Sequence, residues 1–223
     1  MRICRVVRGL KRARIGSIGA RTGAFQTMRF SEKLLQAAGL TVVTVDLSEI
    51  IFAANALADD APEVKGKLEE IAAFGRIPSY IRPEKIVRQA KWTLAVNRWI
   101  EENDCDASAI QCWRSLQDNF GCATCLTMSM TGEKLTPSAC EVDVMGAISM
   151  YALALAAEAP SAILDWNNNY CHEADKSSAP TAATTRRVSS ARPRKSRNSM
   201  CWAACSAKKT ASAPSKGRCS RAR

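Results

Sequence analysis

Short apolar runs alternate with helical apolar repeats along residues 14 to 165. The clearest run is Thr41 to Asp46 (TVVTVD), and Ser48 directly after it favours the start of a helix. Arg14 to Ile18 and Ala107 to Gln111 are two further short runs. Strands that alternate with helices predict an α/β fold: a Rossmann-like, three-layer domain with a parallel sheet covered on both faces.

Apolar residues at three- and four-residue spacing predict the helices between these strands. The predicted helices cover 27–38, 48–58, 62–74 and 82–102, and another opens in 122–130. Gly39 follows the first of them as a C-terminal cap. Gly16, Gly19 and Gly23 lack the G-x-G-x-x-G spacing of a dinucleotide site, so they predict a tight strand-to-helix turn.

Two acidic residues follow short apolar runs in the segment from 137 to 169. Ser138 to Cys140 ends on Glu141, a helix is predicted over 142–158, and the run 161–164 ends on Asp165. This is a β-α-β pattern, whose two strands end at the same edge of a parallel sheet. Ligands bind at that edge in open α/β sheets. We therefore expect Glu141 and Asp165 to share it.

Two converging carboxylates suit a hard divalent cation such as Mg²⁺ or Mn²⁺. The alternative is that both acids are strand-end caps or solvated turn residues, which are common. Spacing alone leaves these two interpretations open.

Residues 14 to 176 resemble the middle domain of the L-fucose/L-arabinose isomerase family. The resemblance lies in RIGSIGARTGAFQTMRFSEKLL, NDCDASAIQCW, GEKLTPSACEVDVMGAISM and ILDWNNNY. It implies an enzyme of carbohydrate metabolism, an intramolecular oxidoreductase that interconverts aldoses and ketoses. It also implies a monosaccharide substrate and a homo-oligomer.

The resemblance implies that Glu141 and Asp165 bind Mn²⁺ and act in catalysis, with Glu141 as the general base. The family's third ligand, a His of a C-terminal domain, has no candidate in the matching region. Candidates for sugar contacts, all at predicted strand ends or in the following turn, are Gln111, Trp113, Asn167, Asn168 and Asn169. Turn chemistry is the alternative reading of these five.

Residues 1–13 carry basic residues opposite apolar ones at helical spacing and predict an amphipathic helix. The resemblance favours a connector from an upstream domain, which would make Met1 an internal start. No apolar run is long enough to cross a membrane, and this first segment lacks the apolar h-region of a secretory signal.

Of the ten cysteines, Cys112, Cys122, Cys125 and Cys140 lie in apolar contexts typical of reduced core cysteines. Together with the lack of an export signal, this predicts a cytoplasmic location. Cys122-x-x-Cys125 could be half of a zinc site, but no second pair has matching spacing and the chain has one histidine. A structural zinc site is therefore not expected.

The segment 177–223 holds twelve Lys or Arg and no Asp or Glu, so the net charge of +11 arises there. With few aliphatic residues it is predicted to be disordered. It is either a basic arm that binds nucleic acid or an out-of-frame translation of GC-rich coding sequence. Plausible codons for residues 176–184 and 208–215, read one base earlier, encode strings that resemble the family's own continuation. This favours the second interpretation.

The sequence therefore predicts an incomplete sugar isomerase that is inactive by itself. The alternative is a non-enzymatic α/β module whose basic tail binds nucleic acid.

Overall fold

Four parallel strands form the central sheet of the protein. The computed structural model describes residues 1–164, 169–170 and 173–177, with side chains described for 1–164. The strands are β1 (Arg14–Ile18), β2 (Thr41–Val45), β3 (Ala107–Ile110) and β4 (Ser138–Cys140), in the spatial order β2-β1-β3-β4. Every neighbouring pair is parallel, and helices cover both faces. The predicted α/β fold class is confirmed.

Helices connect these strands along the chain. They are α1 (Arg2–Leu10), α2 (Glu32–Ala37), α3 (Leu47–Ala56), α4 (Pro62–Phe74), α5 (Pro83–Glu102), α6 (Ser115–Asn119), α7 (Cys125–Glu133) and α8 (Val144–Ala157). Two short antiparallel strands, β5 (Asn169–Tyr170) and β6 (Glu173–Ser177), form a separate pair. In the described part of the chain, no helix combines the length and apolar character needed to cross a membrane.

The sheet separates two apolar clusters. Ile18 and Ile110 pack with Trp92 and Val96 of α5 on one face, and α3, α6 and α7 complete that cluster. Ile15 lies in the other cluster, with residues of α2 and α8. Side chains of alternate strand residues point to opposite faces, so a sheet covered on both sides needs apolar residues at nearly every strand position.

The predicted helix over 27–38 is interrupted. Residues 26–28 form a single 3-10 turn, and α2 begins only after Ser31, whose side-chain oxygen accepts a hydrogen bond from Leu34 N. This cap restarts the helix because it satisfies one of the free N–H groups of the first turn. Gly39, at φ +92°, ends α2 as predicted. A hydrogen bond from Leu40 N to Leu35 O closes the turn around it.

Residues 161–164, predicted as a second strand, return along α8. Ser161 Oγ donates to Met150 O at 2.7 Å, and Ile163 packs close to Gly146. Leu164 forms a β-bridge, and residues 165–168 lie outside the described residues. The second strand therefore stays a prediction. The direction of travel, towards the start of α8, is the one a parallel strand would have had.

Helix α1 confirms the helix predicted for the N-terminal segment. It packs on α8, where Arg5 Nη1 donates to Leu155 O at 3.1 Å and pairs with Glu158 at 2.7 Å. Ile3 remains 79% exposed, so only part of its apolar face is covered. The limits predicted for the connector, domain and tail stay predictions.

Candidate active site at the carboxyl edge of the sheet

The loops that follow β1 and β3 cross closely at the carboxyl edge of the sheet. Gly19, at φ +86°, follows β1, and its N–H donates to Val45 O at 2.9 Å. A Cβ at this position would lie 2.5 Å from Gln111 Oε1, so only glycine fits. Gln111 follows β3, and its Oε1 accepts a hydrogen bond from Ala20 N at 2.9 Å. Its amide nitrogen is the polar atom it can present to a ligand.

The carboxyl end of β4 holds Glu141 in an unusual backbone conformation. Glu141 has φ +61° and Val142 has φ +58°. Two consecutive left-handed residues without glycine cost roughly 1–3 kcal/mol each, and a β-branched residue such as valine is a clear outlier there. Strain of this kind concentrates at functional sites, because surrounding structure must enforce it.

Local contacts enforce this turn. Val142 N donates to Ile110 O at 3.4 Å, and the Val142 side chain is buried with 3% exposure. Asp143 caps α8 by accepting from Gly146 N at 2.8 Å. The half-buried Glu141 carboxylate lies 3.3 Å from the thiol of Cys140 through Oε1. The strand end, the cap and the buried valine together fix the direction of the carboxylate.

An aromatic surface lies beside Gln111. Trp113 is 46% exposed, and its ring meets that of Phe25 edge-on at 5.5 Å between centroids. The Arg114 guanidinium lies 5.9 Å from the Trp113 ring centre. A half-exposed tryptophan next to donor groups can cover the apolar face of a sugar ring.

A group of thiols lies beneath this edge. Gln117 Nε2 donates at 3.9 Å to the sulfur of Cys112, which lies between Gln111 and Trp113. Hydrogen bonding with the Cys125 and Cys140 thiols holds the pKa of the Cys112 thiol well below its usual range, although burial acts in the opposite direction. Hydrogen bonding with Cys112, and then burial, raise the pKa of the Cys140 thiol. Sequence analysis did not find this arrangement.

Three of the predicted site residues come together at this edge: Gln111, Trp113 and Glu141. Asp165, Asn167 and Asn168 lie outside the described residues, and only the backbone of Asn169, in β5, is described.

The described residues do not by themselves form a complete metal site. Among residues 1–164, no three His, Cys, Asp or Glu side chains are grouped so that they could hold a metal ion. Glu141 offers a hard oxygen donor of the type that Mn²⁺ and Mg²⁺ prefer. The described residues therefore supply one suitable ligand and not a complete metal site. The six cysteines among residues 1–164 are free thiols.

Comparison with known proteins relates the chain to sugar isomerases. No family model matches it. It is 33% identical over 154 residues to the sulfoquinovose isomerase of Alkalicoccus urumqiensis, covering 68% of this chain and 34% of that protein.

Two further relatives carry the same description. The sulfoquinovose isomerase of Priestia aryabhattai is 27% identical over 154 residues, which are 68% of this chain and 33% of that protein. The corresponding protein of Clostridium sp. (strain MSTE9) is 29% identical over 121 residues, which are 53% of this chain and 26% of that protein. The chain thus spans about a third of the length of the curated relatives it matches. Over two thirds of its own length, it is related to sugar isomerases.

Proposed function

We propose that this chain is part of an aldose–ketose isomerase of the L-fucose/L-arabinose type, with its active site at the carboxyl edge of the sheet. The observation that carries the proposal is the strained turn that fixes Glu141 at this edge. Backbone strain concentrates at functional sites, and ligands bind at this edge of open α/β sheets. The similarity to sulfoquinovose isomerases supports the reaction class.

The proposed substrate is a monosaccharide in its aldose form. L-fucose and L-arabinose follow from the resemblance, and a sulfonated aldose follows from what the relatives act on. Trp113 would cover the apolar face of the sugar, and the Gln111 amide would donate to a hydroxyl group. Asn167, Asn168 and Asn169 are proposed as further hydrogen-bonding groups.

Glu141 is proposed as the general base. Its carboxylate takes the proton from C2 of the aldose, and the electrons of that C–H bond form the C1–C2 double bond of an enediol. The same group then returns the proton to C1, while a hydroxyl proton moves from O2 to O1. A carboxylate held at a fixed angle suits both transfers, because one group must reach two adjacent carbons.

Glu141 and Asp165 are also proposed as ligands of Mn²⁺ or Mg²⁺. The metal would supply Lewis acidity at the neighbouring sugar oxygens. Residues 161–164 return along α8 towards Glu141, which supports a position for Asp165 near the same edge. A third protein ligand would have to come from elsewhere.

Metal binding tests this proposal. Purified chain is titrated with Mn²⁺ and followed by electron paramagnetic resonance, which reports the free ion. We expect weak saturable binding. Glu141→Gln should weaken it about tenfold or more, because loss of a charged ligand removes more than about 1.4 kcal/mol of binding free energy. Glu101→Gln, an exposed change at the end of α5, is the matched control. Equal affinities in wild type and Glu141→Gln would refute the ligand role.

An activity assay tests the reaction class. We expect no ketose above background when the chain is incubated with Mn²⁺ and L-fucose, L-arabinose or sulfoquinovose. An open edge with two carboxylates leaves the sugar in contact with water and lacks a preorganised environment. Ketose that forms with wild type and disappears with Glu141→Gln would overturn the expectation of inactivity and strengthen the assignment as an isomerase.

A further inference from the structure

Arg21 lies in the loop after β1, directly following Ala20, whose N–H donates to Gln111 Oε1 at 2.9 Å. One nitrogen of its guanidinium, Nη1, donates to Thr22 O at 3.1 Å and to Phe25 O at 3.0 Å. The side chain is half-buried, so these bonds fix the position of the guanidinium. In the described part of the chain, its Nε and Nη2 have no hydrogen-bond partner and no carboxylate pairs with it. Arg21 therefore keeps two donor groups and its charge for a ligand.

Arg114 lies beside the same loop. Its guanidinium is 5.9 Å from the ring centre of Trp113, and the Trp113 ring meets that of Phe25 at 5.5 Å between centroids. Thr22 Oγ1 also donates to Trp113 O at 3.5 Å. Among residues 1–164, no carboxylate pairs with Arg114. Both guanidinium groups thus lie next to the aromatic surface of Trp113 and Phe25.

The charge on this side of the carboxyl edge has one sign. The segments 19–30 and 111–117 hold three arginines and no Asp or Glu. The carboxylate of the candidate site, Glu141, follows β4, which is two strands away from β1 in the order β2-β1-β3-β4. Neighbouring strands are about 4.8 Å apart, so the ends of β1 and β4 are separated by about 10 Å. The site therefore has a carboxylate at one end and guanidinium groups towards the other.

We propose that Arg21, with Arg114 beside it, binds an anionic group of the substrate, a sulfonate or a phosphate at the end of the sugar far from its reacting carbons. This rests on the proposed function, which puts C1 and C2 of the aldose at Glu141. A guanidinium presents N–H donors in a fork that matches two oxygens of such a group. A neutral aldose leaves both guanidinium groups without a partner. The two arginines are thus specificity determinants that select charged aldoses.

Sugar binding to the full chain tests this inference. Saturation-transfer NMR titrations compare sulfoquinovose, which carries a sulfonate, glucose 6-phosphate, which carries a phosphate, and quinovose, the uncharged counterpart of sulfoquinovose. We expect one of the two anionic sugars to bind about tenfold or more tightly than quinovose, because charge-assisted hydrogen bonds are stronger than neutral ones. The tighter of the two identifies the anionic group. Equal affinities for charged and uncharged sugars, or no binding of either anionic sugar, would overturn the proposal.

Three variants separate recognition of the anion from support of the loop. Arg21→Gln should bring the affinity for the anionic sugar to within about twofold of that for quinovose, and leave quinovose binding unchanged. Arg114→Gln, at an exposed residue, should weaken anion binding about threefold, as for a solvent-exposed charge pair. Arg8→Gln is the matched control, because it removes the same charge from an exposed position of α1.

Two outcomes in Arg21→Gln would overturn the proposal. An equal loss of affinity for charged and uncharged sugars would mean that Arg21 only supports the loop. An unchanged preference for the anionic sugar would assign that preference to other basic groups, such as those of the segment 177–223.

Failure of this inference can be told apart from failure of the proposed function. If Mn²⁺ binding depends on Glu141 but charged and uncharged sugars bind equally, the metal ligand stands and the arginines are not specificity determinants. If anionic sugars bind through Arg21 but Glu141→Gln leaves Mn²⁺ binding unchanged, the anion site stands and the ligand role of Glu141 is wrong.

Discussion

The two edges of the central sheet differ in what their polar groups do. At the amino edge, Asp106 precedes β3 and accepts two hydrogen bonds, from Arg14 N at 2.9 Å and from Tyr151 OH at 3.0 Å. Arg14 Nε in turn donates to Asn103 O at 2.9 Å. These contacts tie α8 and β1 to the start of β3. At the amino edge, these polar side chains form hydrogen bonds that hold the structure together.

At the carboxyl edge, a strained turn orients Glu141, and the crossing of two loops orients Gln111. Positive φ angles occur at both edges, but with different causes. At the amino edge, Asp104 and Leu135 end α5 and α7, and hydrogen bonds of the next residues to Ile100 O and Thr131 O close ordinary helix caps. Glu141 ends no helix. The comparison shows that the strained backbone at Glu141 has no capping role, unlike the positive φ angles at the amino edge.

The largest effect is expected from filling the loop crossing at the carboxyl edge. Gly19→Ala places a Cβ 2.5 Å from Gln111 Oε1 in a residue at φ +86°. We expect a loss of about 3 kcal/mol in the free energy of unfolding, measured with urea. Gly23→Ala is the control, because no atom lies within 4 Å of its Cβ position. A loss below about 1 kcal/mol in Gly19→Ala would show that the crossing is loose.

A smaller effect is expected at the amino edge. Tyr151→Phe removes the donor to Asp106 Oδ1 and should cost about 1–2 kcal/mol of unfolding free energy. Tyr80→Phe, at a tyrosine that is 57% exposed, should change the urea midpoint little. If both variants behave alike, the contact between α8 and β3 does not stabilise the amino edge.

Strain at Glu141 can be measured with two substitutions. Glu141→Gly removes the Cβ that makes φ +61° unfavourable, whereas Glu141→Ala keeps it. We expect the glycine variant to be more stable than the alanine variant by about 1 kcal/mol, the reverse of the usual order. Thermal unfolding of the pair measures this difference. A more stable alanine variant would argue against a strained turn.

The smallest effect is a pH dependence at the amino edge. Burial, and then the charge and hydrogen bond of Asp106, raise the pKa of Tyr151 from 10.0 to about 12. A group with a raised pKa contributes stability that is complete below its unfolded value, so this contribution is lost as pH rises from 10 to 12. Urea midpoints across this range should fall less steeply in Tyr151→Phe. Parallel curves would contradict the shift.

The sequence was sufficient for the parts of the fold that depend on local pattern. Strand β2, helices α4 and α5, and the position of Glu141 at the end of β4 follow from apolar spacing and from the strand-to-helix transition. The run 161–164 is harder to interpret, because an apolar segment that packs along a helix has the same composition as a buried strand.

The candidate site could be predicted only in part for a similar reason. Glu141, Gln111 and Trp113 were found because strand ends can be located by pattern. The donors around Cys112 come from α6, α7 and β4, and their convergence depends on tertiary structure that no local spacing reports. The strain at Val142 was also missed, since nothing in a valine predicts a positive φ.

The contact between α1 and α8 has a consequence for biosynthesis. Arg5 meets Leu155 across 150 positions of the chain, so α1 is made before α8 and cannot dock until α8 exists. At about 5–20 residues per second, that wait is roughly 8 to 30 seconds. During this time the apolar side chains of α1 lack their binding surface and are open to chaperones. Helix α1 thus leaves the ribosome well before the surface on which it docks.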